Sequence, residues 1–178
     1  MPDEYTRGTQ HRPAVMHDER LRRGASVQIV TVDPEHADAR YCVGEYVAEL
    51  NSRSRRGFDP SKGVTALPHE LRPPAGEFVV VYLDGQAIGC GAVKHHVEGP
   101  AEIKRMWIAP SARGLGLGRR LLERLEARAR AGGARVAQIE TSAVLAEALS
   151  LYRSTGWIEV PAFNDEPFAD HWFQKTLA

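Results

Sequence analysis

The chain has 178 residues, 23 Lys plus Arg against 23 Asp plus Glu, a formal net charge of zero and 43% hydrophobic residues. A neutral balance gives no electrostatic footprint for nucleic acid, and no apolar run approaches the roughly 18 residues needed to cross a bilayer. Cys42 and Cys90 are too few and too far apart for a zinc motif or a disulfide framework, so no metal and a cytoplasmic setting are expected.

Residues 1–25 are polar, with Arg7, Arg12, Arg20, Arg22 and Arg23 nearly balanced by Asp3, Glu4, Asp18 and Glu19. That balance argues against a basic arm, and the missing apolar stretch argues against a secretory signal. A disordered tail is expected there, followed by one domain over residues 26–178. Ser26 to Val32 alternates as a strand. Pro34, at a first helical turn, then predicts a helix to about Leu50, with Tyr41, Tyr46, Val47 and Leu50 available for one face. From Asn51 to Gly76 the chain is rich in Arg, Pro, Ser and Gly, the composition of a long functional loop. Glu77 to Leu83, the Asp84-Gly85 turn and Gln86 to Lys94 predict a hairpin, and Ala101 to Ala109 a further strand.

The segment Arg113-Gly114-Leu115-Gly116-Leu117-Gly118-Arg119 lies between that strand and a helical run, Leu117 to Ala131, which Gly132 and Gly133 stop. Glycine has no Cβ, so the backbone here can turn sharply and bring several N–H groups to a phosphate, and the helix start adds unpaired N–H groups and partial positive charge. A P-loop would need Lys after the glycines, where Arg119 and Arg120 stand, and a Rossmann loop would need Gly where Arg119 stands. Residues 113–130 hold six Arg against two Glu. The chain has nineteen Arg and four Lys overall, so Arg124, Arg128 and Arg130 count as solvated helix face; Arg113, Arg119 and Arg120 keep their weight near the helix start. Arg135 to Glu140 predicts a short strand and Val144 to Ser154 a helix with the stripe Leu145, Ala148, Leu149 and Tyr152, capped by Gly156. The loop Pro161 to Ala169 precedes a last strand, Asp170 to Leu177.

Arg113, Gly116 and Gly118 fit Arg/Gln-x-x-Gly-x-Gly/Ala, which resembles the acetyl-CoA loop of the GNAT superfamily of N-acetyltransferases. The run Ala148 to Trp157, with Tyr152 and then Gly156 before an aromatic, is similar to that superfamily's second signature, and the resemblance covers roughly residues 26–177. It implies a mixed α/β fold, a mostly antiparallel sheet splayed in its middle with helices on both faces. It implies acetyl-CoA as cosubstrate, held by Gly114, Gly116, Gly118, Arg113 and Arg119, with the backbone of Met106, Trp107 and Ile108 holding the thioester carbonyl and pantetheine arm. Where family members often carry Asn or Gln, seven residues before the helix tyrosine, this chain has Leu145.

Transfer of an acetyl group to an amine needs the free base, and for an amine of pKa about 10.4 that costs roughly 4.6 kcal/mol at pH 7. A proton acceptor is therefore valuable. Glu102, eleven residues before Arg113, has the spacing of a catalytic Glu in many family members; the alternative is a surface Glu paired with Lys104. The resemblance makes Tyr152 the general acid for the departing thiolate, against the alternative of a core Tyr on an apolar stripe. His95 and His96 lack ligand spacing and are expected as hairpin residues; Trp107, Trp157 and Trp172 are expected in the core. The segment Phe163 to Phe168 is either a cover over an amine acceptor or a solvated turn. The expected activity is acetyl transfer to a primary amine, on a small molecule or a peptide, by direct attack in a ternary complex, by a monomer or homodimer with neither nucleic-acid nor membrane partner. The alternative is a non-catalytic acyl-CoA-binding or sensing module.

Overall fold

The structure is a computed structural model, and it describes residues 26–63 and 66–178. The expectation of a disordered tail lies outside the described residues. The elements in chain order are β1 (Val27–Val32), α1 (Ala37–Arg53), β2 (Gly76–Leu83), β3 (Gln86–Lys94), β4 (Ala101–Ile108), α2 (Leu117–Ala131), β5 (Val136–Thr141), α3 (Ala146–Ser154), β6 (Ile158–Val160) and β7 (His171–Thr176). No described helix is long and apolar enough to cross a membrane.

The helix expected to open at Pro34 begins later, at Ala37. Asp33 Oδ1 accepts the Glu35 N–H at 2.8 Å and the Asp33 carbonyl accepts the His36 N–H at 2.9 Å, so this stretch is a turn, and His36 Nδ1 caps the helix through the Asp38 N–H. The helix also runs past Leu50 to Arg53, whose guanidinium reaches back to Glu49 at 2.7 Å. Tyr41 is exposed rather than on the buried face, which is formed by Ala39, Cys42 and Leu50.

All seven strands belong to one sheet in the order β1-β2-β3-β4-β5-β7-β6. Every neighbouring pair is antiparallel except β4 and β5. That parallel pair is joined only at Ala101↔Ala137 and Glu102↔Gln138, so from Ile103 onward the two strands part and the sheet opens into a cleft. Alternation along β2 sends Phe78 and Val80 to a core under α1, with Cys42, Cys90 and Trp107, and Val79, Val81 and Leu83 to a larger core under α2 and α3. Leu121 and Leu125 of α2 are fully buried, worth roughly 1.5–3 kcal/mol each. A Cβ on Gly91 would come within 2.7 Å of Leu125 Cδ1, so this glycine lets α2 seat directly on β3. That seating fixes where the helix, and the loop before it, begins.

A bulge interrupts β4. The β3–β4 register shifts between Cys90 and Ala92, and Arg105, a non-glycine residue, stands at φ 54. Cys90 Sγ donates to the Arg105 carbonyl at 3.3 Å, and the Arg105 guanidinium donates to the Ala66 carbonyl at 3.1 Å. Side chains on the two sides of the bulge serve different places: Met106 packs against the α2/α3 core, while Lys104 pairs across the opening with Glu140 of β5.

Candidate active site

Two cavities enter the opening between β4 and β5. The first runs along the end of β4 and the start of α2, lined by Met106, Trp107, Ile108, Gly114, Gly116 and Arg119 among others. Gly114 and Gly116 stand at φ 79 and 74, the left-handed region that side chains disfavour, and Gly116 is the N-cap from which α2 starts. The first helical turn carries no acidic residue, and its leading N–H groups have no acceptor a turn earlier. Gly118 faces Leu151 of α3, where an added Cβ would sit 3.5 Å from Cδ2. Beyond Glu102 the β4 edge facing β5 has no strand partner, so the backbone of Met106 to Ile108 borders this groove unpaired by β5. Backbone donors and a helix start at positive potential suit a phosphate chain, and an open strand edge suits an extended amide-bearing arm.

Arg113 also lines this groove, with its guanidinium held by protein partners. Its Nε donates to the Ile108 carbonyl at 3.0 Å, one terminal nitrogen to both oxygens of Glu49 at 2.8 and 2.7 Å, and the other to Glu147 at 3.1 Å. Glu49 also accepts the Trp107 Nε1–H at 2.8 Å, and Arg53 bridges Glu49 to Glu147 at 2.7 and 2.8 Å. Arg53 and Arg113 together hold the Glu147 carboxyl at about 2, with the Arg53 hydrogen bond the larger cause. The guanidinium of Arg113 thus clamps the loop to α1 and α3, while the exposed Arg119 stands at the groove and Arg120, also exposed, does not line it.

The second cavity opens on the other side of the cleft. It is lined by the end of α1, residues within 54–63 and Ala66, Lys104 and Arg105, the end of β5, and Glu166, Phe168 and Ala169. Tyr46, Met106, Leu145, Ala148 and Tyr152 line both cavities, so the two meet at these five side chains. Tyr152 is 3% exposed and packs on Trp157 and Phe173, with ring centroids 6.0 and 5.6 Å away. Its hydroxyl has only a weak partner, Met106 Sδ at 4.0 Å, and burial pushes the phenol well above its ordinary value, so it carries its proton at neutral pH. The ring packs in the core, and the residue borders both cavities. Tyr46, which sequence reasoning placed only on an apolar helix face, sits opposite, its phenol likewise pushed up by burial and then by Glu140.

Glu102 is not brought to this junction. It lines neither cavity; its carboxylate binds Lys104 Nζ at 2.9 Å and His96 Nε2 at 2.6 Å. Burial works against its charge, yet Lys104 and His96 outweigh burial and hold it below the usual range. A carboxylate so paired is a poor proton acceptor, and the pairing with Lys104 is the arrangement weighed as the alternative. His96 therefore has a partner after all, while His95 packs beside Gly132 with its Nδ1 buried and unbonded. Among the tryptophans, Trp107 and Trp157 are buried, whereas Trp172 is half-buried and donates to Asn164 Oδ1 at 2.8 Å. Leu145 is the N-cap residue of α3 and offers no side-chain cap, only apolar surface to both cavities.

Two carboxylates do reach the second cavity, Glu166 from the last loop and Glu140, and for Glu140 the sequence held no signal beyond a charged residue at the end of a short strand. Its Lys104 partner, disfavoured as a cation by burial but held by Glu140 and Glu102, stays charged.

Residues 44–157 match the acetyltransferase (GNAT) family. A protein called IAA acetyltransferase from Azospirillum brasilense is 42% identical over 95 residues, which is 53% of this chain and 62% of that protein, so the match spans less than two thirds of the relative. A Klebsiella pneumoniae structure, of a protein described as a candidate acyl-CoA N-acyltransferase, superposes with TM-score 0.69 at 26% identity over 85% of this chain and 98% of that one. An acetyltransferase from Elizabethkingia anophelis, solved with acetyl-CoA bound, gives TM-score 0.58 at 16% identity over 85% and 98% of the two chains, a likeness of fold.

Proposed function

Because this chain belongs to the acetyltransferase (GNAT) family, we propose that it is an acetyl-CoA-dependent N-acetyltransferase that moves an acetyl group to a primary amine by direct attack in a ternary complex. The observation that carries this is the meeting of the two cavities at Tyr46, Met106 and Tyr152, which lets a donor in one groove and an acceptor in the other reach the same point from opposite sides. Gly114, Gly116, Gly118 and the start of α2 would hold the pyrophosphate, with Arg119 beside it, and the backbone of Met106, Trp107 and Ile108 would hold the pantetheine arm and the thioester oxygen. The thioester supplies an activated acyl carbon there. Tyr152 is the general acid: protonated and poorly bonded, its hydroxyl is free to donate to sulfur as negative charge develops. The shared sheet and the two cores flanking it support treating residues 26–178 as one catalytic domain.

The test is release of free thiol from acetyl-CoA against a panel of primary amines. Turnover with at least one amine is expected. Acetyl-CoA binding without thiol release for any amine would leave the chain as a sensing module.

A further inference from the structure

The second cavity contains a buried carboxylate oxygen with nothing to bind. Glu140 is 10% exposed at its side chain; one oxygen pairs with Lys104, and Oε2 is buried without a hydrogen-bond partner. An anionic oxygen in that state is costly unless a donor completes it. The cavity is where that donor would come from, since Glu140 lines it.

Lys104 donates to both Glu140 and Glu102. It lies 2.9 Å from Glu102, which has His96 as a second partner, so two carboxylates share one ammonium. Burial, and then Glu102 and Glu166, push the Glu140 carboxyl up against the pull of Lys104. Environments that drive two neighbouring carboxylates apart divide their roles: Glu102 stays a fixed anion, and Glu140 is the one able to exchange a proton. The other charged or titratable groups lining this cavity are Arg105 from β4, Tyr46 from α1, Arg56 after it, Tyr152 from α3 and Glu166 from the last loop.

Part of the remaining wall is aromatic. Tyr46 and Phe58 meet edge to face with centroids 6.3 Å apart, and Phe58 and Phe168 at 4.9 Å, which joins α1, the stretch after it and the 161–169 loop in one aromatic run. Arg56, also at this cavity, is occupied by Asp170 at 3.0 Å. One buried, unbonded carboxylate oxygen beside three rings suits an ammonium on a ring-bearing body.

We propose that this cavity takes a primary ammonium carried on an apolar, ring-bearing body, that Glu140 Oε2 receives the ammonium, and that Glu140 then takes one of its protons. The binding part stands alone; the steps after it rest on the acetyl-transfer reading above. Glu140 accepts a proton from R–NH3+, leaving R–NH2. The nitrogen lone pair forms the C–N bond at the thioester carbon, and the C–S bond breaks with its electrons going to sulfur. Tyr152 gives its proton to that sulfur and takes back the second proton of the nitrogen. Glu140 releases its proton to water as the amide leaves, so amine cation and thioester yield amide, thiol and one proton.

The test uses the full chain with coenzyme A present and two probes, 2-phenylethylamine and the uncharged 2-phenylethanol, followed by calorimetry. Glu140→Gln should weaken 2-phenylethylamine by about tenfold or more and leave 2-phenylethanol unchanged. In turnover, Glu140→Gln should lower kcat/KM and abolish the acid limb of its pH profile, and Phe168→Ala should lower kcat/KM for 2-phenylethylamine more than for methylamine. If Glu140→Gln does not fold, as judged by its melting curve, Glu140→Asp, with its carboxylate drawn back, should show the same probe-selective weakening. Equal affinity of 2-phenylethylamine for wild type and a folded Glu140 variant overturns the inference, as does methylamine being the better substrate. Glu140-dependent binding without thiol release would instead sink the transfer reading and leave the ammonium site standing.

Discussion

The two cavities that meet at Tyr152 are built by opposite means. The groove proposed for the donor comes largely from one continuous stretch, Met106 to Arg119, closed by α3, and its recognition groups are backbone N–H and C=O. The cavity proposed for the acceptor draws side chains from α1, residues within 54–63, β4, β5, α3 and the last loop. Backbone recognition leaves a mark in sequence, because the φ of 79 and 74 at Gly114 and Gly116 calls for glycine. Side-chain recognition assembled over long separations leaves none.

The largest expected effect falls where the two meet. Tyr152→Phe keeps the ring against Trp157 and Phe173 and loses only a hydroxyl bonded weakly to Met106. Turnover should fall roughly 10²-fold or more, the scale of general-acid help. Stability should move by less than about 1 kcal/mol, the worth of one weak hydrogen bond, and calorimetry should find acetyl-CoA affinity unchanged. That combination marks lost transition-state stabilisation. Native turnover in Tyr152→Phe would move the role to Tyr46, which borders both cavities.

Gly116→Val attacks the backbone side of the comparison. A Cβ there meets nothing within 4 Å, so the strain comes from φ 74 and not from crowding. The left-handed conformation should cost about 1–2 kcal/mol in stability, and acetyl-CoA affinity should drop about tenfold or more as the loop N–H groups turn away. Calorimetry on the folded variant decides; unchanged affinity would remove the loop from the site.

How far each half was legible follows from the same contrast. Helix α2 has the bounds expected from its pattern, Leu117–Ala131, because periodicity, the leading glycines and the stop at Gly132 all agree. The start of α1 was misplaced, since Pro34 is equally at home in a turn, and only the Asp33 side chain and the His36 cap decide between the two. The splay of the sheet came from the family resemblance and not from any residue pattern. Glu102 and Glu140 are both strand glutamates near Lys104; which one faces the cavity is set by how β4 and β5 diverge, and local sequence does not encode that divergence.

Glu102→Gln sharpens the distinction between those two. Glu102 raises the Glu140 carboxyl by its charge, so removing that charge lowers the pH at which Glu140 ionises. If Glu140 is the acceptor of the proton, the acid limb of the kcat/KM profile should move to lower pH, with the plateau rate within roughly threefold of wild type, far from the 10²-fold scale of a lost base. A large rate loss with high-pKa amines and no shift of the limb would return the role to Glu102.

The smallest effects separate two arginines that sequence treats alike. Arg113 spends its guanidinium on Glu49, Glu147 and the Ile108 carbonyl, at 25% side-chain exposure, whereas Arg119 is exposed at the mouth of the groove. Screening acts on exposed charges over a Debye length of about 8 Å at 0.15 M salt. Arg119→Gln should therefore weaken acetyl-CoA by about two- to fivefold at low salt, the worth of one exposed charge near a helix start, and flatten the dependence of affinity on salt. Arg113→Gln should leave that slope as in wild type and lower the melting temperature, because Glu49 keeps Arg53 and Trp107 but loses its paired bonds to the loop. Titrations at two salt concentrations check both. A flattened slope in Arg113→Gln would mean that its guanidinium leaves Glu49 for the phosphates when the groove is filled, and the loop would then recognise its ligand by side chain as well as by backbone.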